Sequence, residues 1–130
     1  MGYSNVIDYI TIASTGNASD FGDLTVSLSF LGGCCDETRA IFFGGTNPSN
    51  DIIHYLTIAS TGNASDFGNL ITNKHAVGAL SGSTRGVAAG ADGGYDVIQY
   101  VTIQTTGNAL DFGDLTTNIA ASTGTAAWLI

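Results

Sequence analysis

Carboxylates recur beside aromatic residues at a fixed spacing, and their chemistry is the first question that the sequence raises. Asp20 and Asp23 stand three residues apart, close enough for their oxygens to share a hard cation such as Ca²⁺. The corresponding pair in the next copy is Asp66 and Asn69, and no run of alternating oxygen ligands accompanies either pair. We therefore expect no metal here. Asp20, Asp66 and Asp111 are predicted instead to accept backbone hydrogen bonds in a turn.

The sequence offers little else for catalysis or for a cofactor. His54 and His75 are the only histidines; neither has a cysteine or carboxylate at metal-ligand spacing, and both are predicted to be surface residues. Asp-Phe-Gly is the magnesium-binding tripeptide of protein kinases, but no glycine-rich nucleotide loop or His-Arg-Asp accompanies it here. No Ser-His-Asp arrangement recurs. We expect a protein that is not an enzyme and needs no cofactor.

Aromatic side chains are the remaining candidates for binding a ligand. Tyr9, Tyr55 and Tyr100 could stack on sugars, but they lie inside apolar strands, which favours packing. Trp128 and Tyr95 are unique to their copies of the repeat described below. They are therefore the better candidates for ligand contact.

Two pairs of polar side chains are predicted to be structural. Arg39 and Arg85 recur at one position and are expected to pair with an aspartate or to cap carbonyl groups, joining one unit to the next. The adjacent Cys34 and Cys35 are expected to be small residues in a strand, with a vicinal disulfide or a metal site as the alternatives.

Charge and composition narrow the class of protein. Eleven acidic residues stand against three basic ones, and the net charge of −8 repels both nucleic acid and anionic membranes. No apolar run approaches the ~20 residues of a membrane-spanning helix, and the first residues lack the pattern of a signal peptide. With 44% apolar residues and 18 glycines, the composition favours a compact, turn-rich β protein.

The candidate residues belong to a unit that the sequence repeats. TIASTGNASDFG occupies 11–22 and, letter for letter, 57–68, and TIQTTGNALDFG occupies 102–113. The phenylalanines of these strings lie 46 and then 45 residues apart. Periods of this length indicate stacked or ring-like arrays, in which no unit buries its apolar face alone. The predicted structural anchors of the repeat are Tyr9, Tyr55, Tyr100, Phe21, Phe67, Phe112, Arg39 and Arg85.

Each unit is predicted to begin with an apolar strand, as at 5–13, rich in Val, Ile, Tyr and Thr. Both alternating sets of side chains are largely apolar, so we expect this strand to be covered on both faces. One position in it varies freely, from Asp8 to His54 to Gln99. That variation predicts a strand end or a solvent-facing position.

The rest of the unit is predicted to contain three more strands. Gly16-Asn17 and its two equivalents are expected to close a tight turn, so that Asp-Phe-Gly returns as the second strand of a hairpin. Two further short strands are expected around 32–35 and 40–43. The result is about four strands per unit.

The two ends of the sequence are predicted to meet. A single repeat domain covers 1–130, with units at about 5–50, 51–95 and 96–130 plus 1–4. The last eight residues, TGTAAWLI, correspond to TRAIFFGG of the first unit and are expected to pair beside the first strand. Mixing the two termini in one sheet is how ring-like β folds remove their exposed edges.

The predicted fold class is all-β, with three four-stranded repeats of ~45 residues as β-propeller-like blades, closed by pairing of the N- and C-termini. Propellers have about four to eight blades, so a homodimer forming one six-bladed ring would satisfy the pattern. A β-trefoil or a β-prism with internal three-fold symmetry is the alternative.

Two resemblances indicate a setting for the protein. The strand AIFFGG, ending in Gly44-Gly45 before an aromatic-bearing strand, resembles a kelch-type blade. The string Y-x-T-I-x-[ST]-T-G-N-A-x-D-F-G, present in all three units, is similar to repeats of predicted structural and tail-associated proteins of marine tailed bacteriophages. This resemblance implies a structural protein of the virion, on its tail, fibre or capsid surface.

The expected partners follow from that setting. They are other virion proteins, further copies of the chain in a homo-oligomer, and a host-surface glycan, with no nucleic acid and no membrane. A carbohydrate-binding, lectin-like module is the alternative function, suggested by the three-fold repetition of aromatic residues.

Overall fold

The computed structural model describes residues 2–47, 50–73 and 75–120. Within these residues, all the regular secondary structure consists of β-strands, which confirms the predicted all-β class. The strands are β1 (Ser4–Tyr9), β2 (Ser19–Leu28), β3 (Gly32–Cys35), β4 (Arg39–Phe43), β5 (Ile52–Thr57), β6 (Ser65–Asn69), β7 (Gly78–Ser81), β8 (Arg85–Ala89), β9 (Tyr95–Thr102) and β10 (Leu110–Ile119).

The strands form three antiparallel sheets. The first sheet contains β1 and β2, the second has the order β3-β4-β5-β6, and the third has the order β7-β8-β9-β10. The short strands predicted at 32–35 and 40–43 are confirmed as β3 and β4. Four strands per unit holds for the first two sequence units, which contain β1–β4 and β5–β8, whereas the third unit has β9 and β10 among the described residues.

The sheets do not follow the units of the sequence. Each four-stranded sheet combines the last two strands of one sequence unit with the first two strands of the next, as when β4 pairs with β5. The same register occurs in the next sheet: Arg39 is opposite Thr57, and Arg85 is opposite Thr102. Neighbouring sequence units are therefore joined by a β-ladder as well as by the chain.

Every Asp-Phe-Gly string forms a β-bulge. In the second sheet His54 is opposite Asp66 and Ile53 is opposite Gly68, so that Phe67 is the extra residue. The Oδ1 of Asp66 accepts a hydrogen bond from the Gly68 N–H at 3.1 Å. Asp111 accepts the equivalent bond from Gly113 at 3.2 Å. The predicted backbone bonds are thus present at these two aspartates, although they lie in a bulge and not in a turn.

The predicted tight turn at Gly-Asn is wrong, although the hairpins are confirmed. β5 and β6 pair antiparallel, but the loop that joins them covers 58–64, which is too long for a two-residue turn. The Gly62-Asn63 pair lies near the end of this loop and contacts β2 of the preceding sheet. These residues therefore join two sheets.

The main core lies between the second and third sheets. Ile41, Phe43 and Ile53 of the second sheet pack in one cluster with residues of the third sheet that include Val101. At Gly86, a Cβ would lie 2.8 Å from the Cys34 Sγ, so glycine allows the two sheets to approach closely. A smaller cluster containing Leu24, Leu28 and Ala64 joins the first sheet to the second.

Coverage of the strands differs along the chain. Ile53 of β5 is buried, as expected for a strand covered on both faces, whereas Val6 of β1 is exposed. The expectation of two covered faces is therefore wrong for β1. Only β2 pairs with β1 among the described residues, which leaves its other edge open.

Candidate functional site

The strongest candidate site is the joint between consecutive sheets. Between the first and second sheets, the Gly62 N–H donates to the Phe21 carbonyl at 2.7 Å, and the Ala64 N–H donates to the Asp23 carbonyl at 2.8 Å. The Asn63 side-chain oxygen accepts the Asp23 N–H at 3.0 Å. A loop of one sheet is thus held along the last strand of the sheet before it.

The same joint occurs between the second and third sheets. The Gly107 N–H donates to the Phe67 carbonyl at 2.8 Å, and the Ala109 N–H donates to the Asn69 carbonyl at 2.8 Å. The Asn108 side-chain oxygen accepts the Asn69 N–H at 3.0 Å. Three hydrogen bonds between equivalent atoms therefore recur, and each contributes about 0.5–1.5 kcal/mol.

The glycine of Asp-Phe-Gly is required by this joint. Gly22 has φ 150° and Gly68 has φ 150°, a backbone conformation that side chains rarely adopt. A Cβ at Gly68 would overlap the Gly107 carbonyl oxygen, and one at Gly22 would overlap that of Gly62. The string ends in glycine because the next loop lies directly on its backbone.

Aromatic packing places the repeated anchors at the same joint. Tyr55 packs edge to face on Phe67, with ring centroids 5.8 Å apart, and the Arg39 guanidinium lies 4.7 Å from the Tyr55 ring centroid. The Tyr55 ring thus contacts both an aromatic ring and a guanidinium, which agrees with the packing role predicted for it. The other tyrosines make the same ring pair: Tyr9 with Phe21 and Tyr100 with Phe112.

The recurrent arginines only partly share their contacts. The Arg39 guanidinium donates to the Ile103 carbonyl at 3.1 Å, and this bond joins the second sheet to the third as predicted. The Arg85 guanidinium lies 4.4 Å from the Tyr100 ring centroid and is exposed. Among the described residues, no carbonyl is bonded to Arg85 as that of Ile103 is to Arg39.

The freely varying position also lies in the joint, so the prediction that it faces solvent or a strand end is wrong for two of its three residues. His54 and Gln99 are buried. The His54 Nε2 is 2.7 Å from the Thr25 hydroxyl of the first sheet, and the Gln99 side-chain oxygen accepts the Ile71 N–H at 2.8 Å. The two contacts differ in kind, because Thr25 contributes its side-chain hydroxyl and Ile71 its backbone N–H.

The two histidines therefore differ. His54 was expected at the surface and is buried, and burial lowers its pKa more than the nearby Asp66 carboxylate raises it. His75 is partly exposed, and its Nε2 lies 3.0 Å from an Asp92 carboxylate oxygen.

One inter-sheet contact occurs once in the described residues. The Asp36 carboxylate accepts hydrogen bonds from the N–H groups of Thr38 and Arg39, both at 2.7 Å, and from the Gln104 amide at 2.5 Å. Burial alone would raise the Asp36 pKa, but the bonds from Gln104, Arg39 and Thr38 together lower it. This carboxylate closes the β3–β4 turn and holds the loop after β9.

The cysteines lie in β3 with free thiols, in agreement with their predicted role as small strand residues. Burial and the neighbouring Cys35 raise the pKa of the Cys34 thiol to about 12. Cys34 therefore stays protonated at neutral pH and acts as an apolar side chain.

The structure describes only one of the two predicted ligand residues. Tyr95 is half-buried and packs against the main core, while Trp128 lies outside the described residues. Within those residues, no group of three or more His, Cys, Asp or Glu side chains is placed to hold a metal ion. That same part of the chain contains no helix that could span a membrane.

The joint has two uncovered ends. Phe67 is 3% exposed because the next loop covers it, whereas Phe112 is 56% exposed. Ala64 and Ala109 are 6% and 7% exposed, whereas Ala18, at the same position of the first loop, is exposed. The first loop, at 16–18, and the last strand, β10, have the same residue types as the joints. Among the described residues, they do not make the contacts of a joint.

Comparison with known proteins identifies no family for this chain. No protein-family model matches it, and no curated protein matches it. The similarity to phage repeats therefore remains a prediction.

Proposed function

We propose that the protein is a non-enzymatic structural component of a tailed-phage virion, displayed on the tail, a fibre or the capsid surface and contributing to host attachment. One observation carries the structural role: the repeated residues form joints between sheets. Phe67, Gly68 and Asn108 each contact a neighbouring sheet, and Tyr55 supports Phe67 from within its own sheet. Two of the acids that recur at one position, Asp66 and Asp111, accept the backbone N–H groups of Gly68 and Gly113 within the bulge, which is a structural role.

The proposed architecture is a ring of blade-like sheets. Two four-stranded antiparallel meanders packed face to face support blades over a β-trefoil or a β-prism. The open edge of β1 is where the C-terminal TGTAAWLI would pair to complete the first sheet, although residues 121–130 lie outside the described structure. Two copies would then form a six-bladed ring.

The virion setting is tested by locating the protein in particles. We expect mass spectrometry of gradient-purified particles of the encoding phage to detect this chain at many copies per particle. Gold-labelled antibodies should mark one symmetric feature of the particle. A chain found only in the infected-cell lysate, and missing from purified particles, would refute the virion role.

A carbohydrate-binding role is the second candidate, because the three loops form similar shallow pockets beside their tyrosines. These pockets measure about 110, 170 and 230 Å³ and are lined by serine, threonine and the Gly-Asn pair. Tyr9 is the best placed of the tyrosines, since its side chain is exposed. Glycan-array binding that is lost in Tyr9→Ala, Tyr95→Ala or Trp128→Ala would support this role, and binding unchanged in all three would exclude it.

A further inference from the structure

We infer that the two ends of the chain are complementary surfaces, and that a second copy of this chain docks on them head to tail. The head surface is the loop segment Gly16-Asn17-Ala18, and the tail surface is the strand segment Phe112-Gly113-Asp114. This inference rests on the self-assembly part of the proposed function and not on the virion setting.

Identity of sequence is the first argument. Gly16-Asn17-Ala18 has the same residues as 62–64 and 107–109, which form the docked loops of the two internal joints. Phe112-Gly113-Asp114 has the same residues as 21–23, which receive the first of those loops. The internal joints therefore already show how the residues of each end would dock against their partner.

Exposure is the second argument. Ile12 precedes the head surface and is 94% exposed, whereas its equivalents before the two internal docked loops, Ile58 and Ile103, are 42% and 0% exposed. A Cβ at Gly113 would have nothing within 4 Å, whereas one at Gly68 would overlap the next loop. Both surfaces are thus exposed at positions that a neighbouring sheet covers more fully in the internal joints.

The internal joints specify the contacts across the interface. The Gly16 N–H would donate to the Phe112 carbonyl, and the Ala18 N–H to the Asp114 carbonyl. The Asn17 side-chain oxygen would accept the Asp114 N–H, as Asn63 accepts that of Asp23. The exposed Arg85 would donate to the Ile12 carbonyl, as Arg39 donates to that of Ile103. All acceptors are neutral oxygens, so salt should weaken the interface little.

The interface is heterologous, because a head contacts a tail and each copy keeps one free surface of each kind until the assembly closes. That property provides a test that an isologous dimer would fail. A copy with a blocked head and a copy with a blocked tail should each be monomeric, yet bind each other in equal numbers.

The first variant is Ala18→Lys, which places a charge at a position that is buried in both internal joints. We expect a dissociation constant raised at least about a hundredfold, measured by sedimentation equilibrium of the full chain. Ser19→Lys is the matched control, because it adds the same charge one residue later, where Ser19 and Ser65 are both exposed. The control should assemble like the unchanged chain.

The second variant blocks the tail by Phe112→Asp, with Leu110→Asp as its control at another exposed position of β10. Thermal unfolding of each variant shows whether the fold is kept. Mixing Ala18→Lys with Phe112→Asp should give a 1:1 complex of twice the monomer mass and nothing larger. The inference is overturned if the unchanged chain stays monomeric, if Ala18→Lys assembles normally, or if the two blocked variants fail to combine.

These outcomes are separable from the virion role. A chain that assembles as described but is missing from particles would remove only the virion setting. A chain that is abundant in particles, and whose assembly ignores Ala18→Lys, would remove only the head-to-tail interface.

Discussion

Strands β6 and β10 carry nearly the same residues in different surroundings. Both contain Asp-Phe-Gly in the same bulge, and both place the phenylalanine edge to face on a tyrosine. The loop of the third sheet covers β6, whereas no described residue covers β10 in the same way. Phe67 is consequently buried and Phe112 is half exposed. In this protein a neighbouring unit, and not the unit's own sequence, makes a residue part of the core.

Truncating the two phenylalanines is the strongest test of that comparison. Phe67→Ala should lower the free energy of unfolding by about 3–5 kcal/mol, because it empties a buried position, and Phe112→Ala by about 1 kcal/mol. Urea denaturation of both variants in an Ala18→Lys background, which keeps the tail surface uncovered, measures the difference. Equal losses would show that the joint does not bury Phe67.

Substituting the two bulge glycines isolates the contact with the next loop. Gly68 and Gly113 both have positive φ, so alanine strains the backbone at either position. Only at Gly68 would the new Cβ overlap a neighbouring backbone, which should cost about 1–3 kcal/mol beyond the shared strain. Thermal unfolding of Gly68→Ala and Gly113→Ala, in the same background, gives this difference. The comparison fails if Gly113→Ala is as destabilising as Gly68→Ala.

The recurrent arginines sharpen the comparison on a smaller scale. Arg39→Lys keeps the charge but loses the bond to the Ile103 carbonyl, and should cost about 1 kcal/mol. Arg85→Lys should cost clearly less, since Arg85 makes no such bond among the described residues. Chemical denaturation curves at equal ionic strength, in the same Ala18→Lys background, compare the two variants, and a larger loss at Arg85 would contradict the assignment.

The smallest effect concerns pH and the buried His54. Burial lowers its folded pKa, so the unfolded chain binds more protons below the ordinary value of about 6.5. Its contribution is therefore intact above that pH, and stability falls as the pH is lowered from there toward the folded pKa. His54→Gln, which copies the residue of the third sheet, should unfold with a weaker pH dependence between neutral and mildly acidic conditions. An unchanged pH profile would show that His54 is not responsible.

The positions of the strands were easier to predict from the sequence than the contacts that the strands make with neighbouring sheets. The apolar strands, the hairpins, and the short strands β3 and β4 follow from local composition, because alternation and β-branched residues act within a few positions. The repeated anchors were predictable because Tyr, Phe and Gly recur together at a fixed spacing. Arg39 joins two sheets as expected for a recurrent side chain that has no local partner.

The joint itself could not be predicted from one unit. Gly-Asn is typical of a tight turn and equally suits a loop whose backbone must lie against another strand, and sequence spacing does not separate the two. The variation from Asp8 to His54 to Gln99 suggested exposure, whereas buried polar residues also vary when their partners do. The only hint was a paired change in the sequence: Thr25 becomes Ile71 where its partner His54 becomes Gln99.

That paired change has a consequence for how the molecule forms. Two segments of identical sequence, 11–22 and 57–68, give a folding chain interchangeable pieces that can exchange places or be traded between molecules. The Thr25–His54 pair distinguishes one location from the other, because Ile71, the residue at the position of Thr25 in the next unit, has no hydroxyl group for the histidine to bond. Correct placement of the identical segments during folding thus depends on the few residues that differ between the repeats.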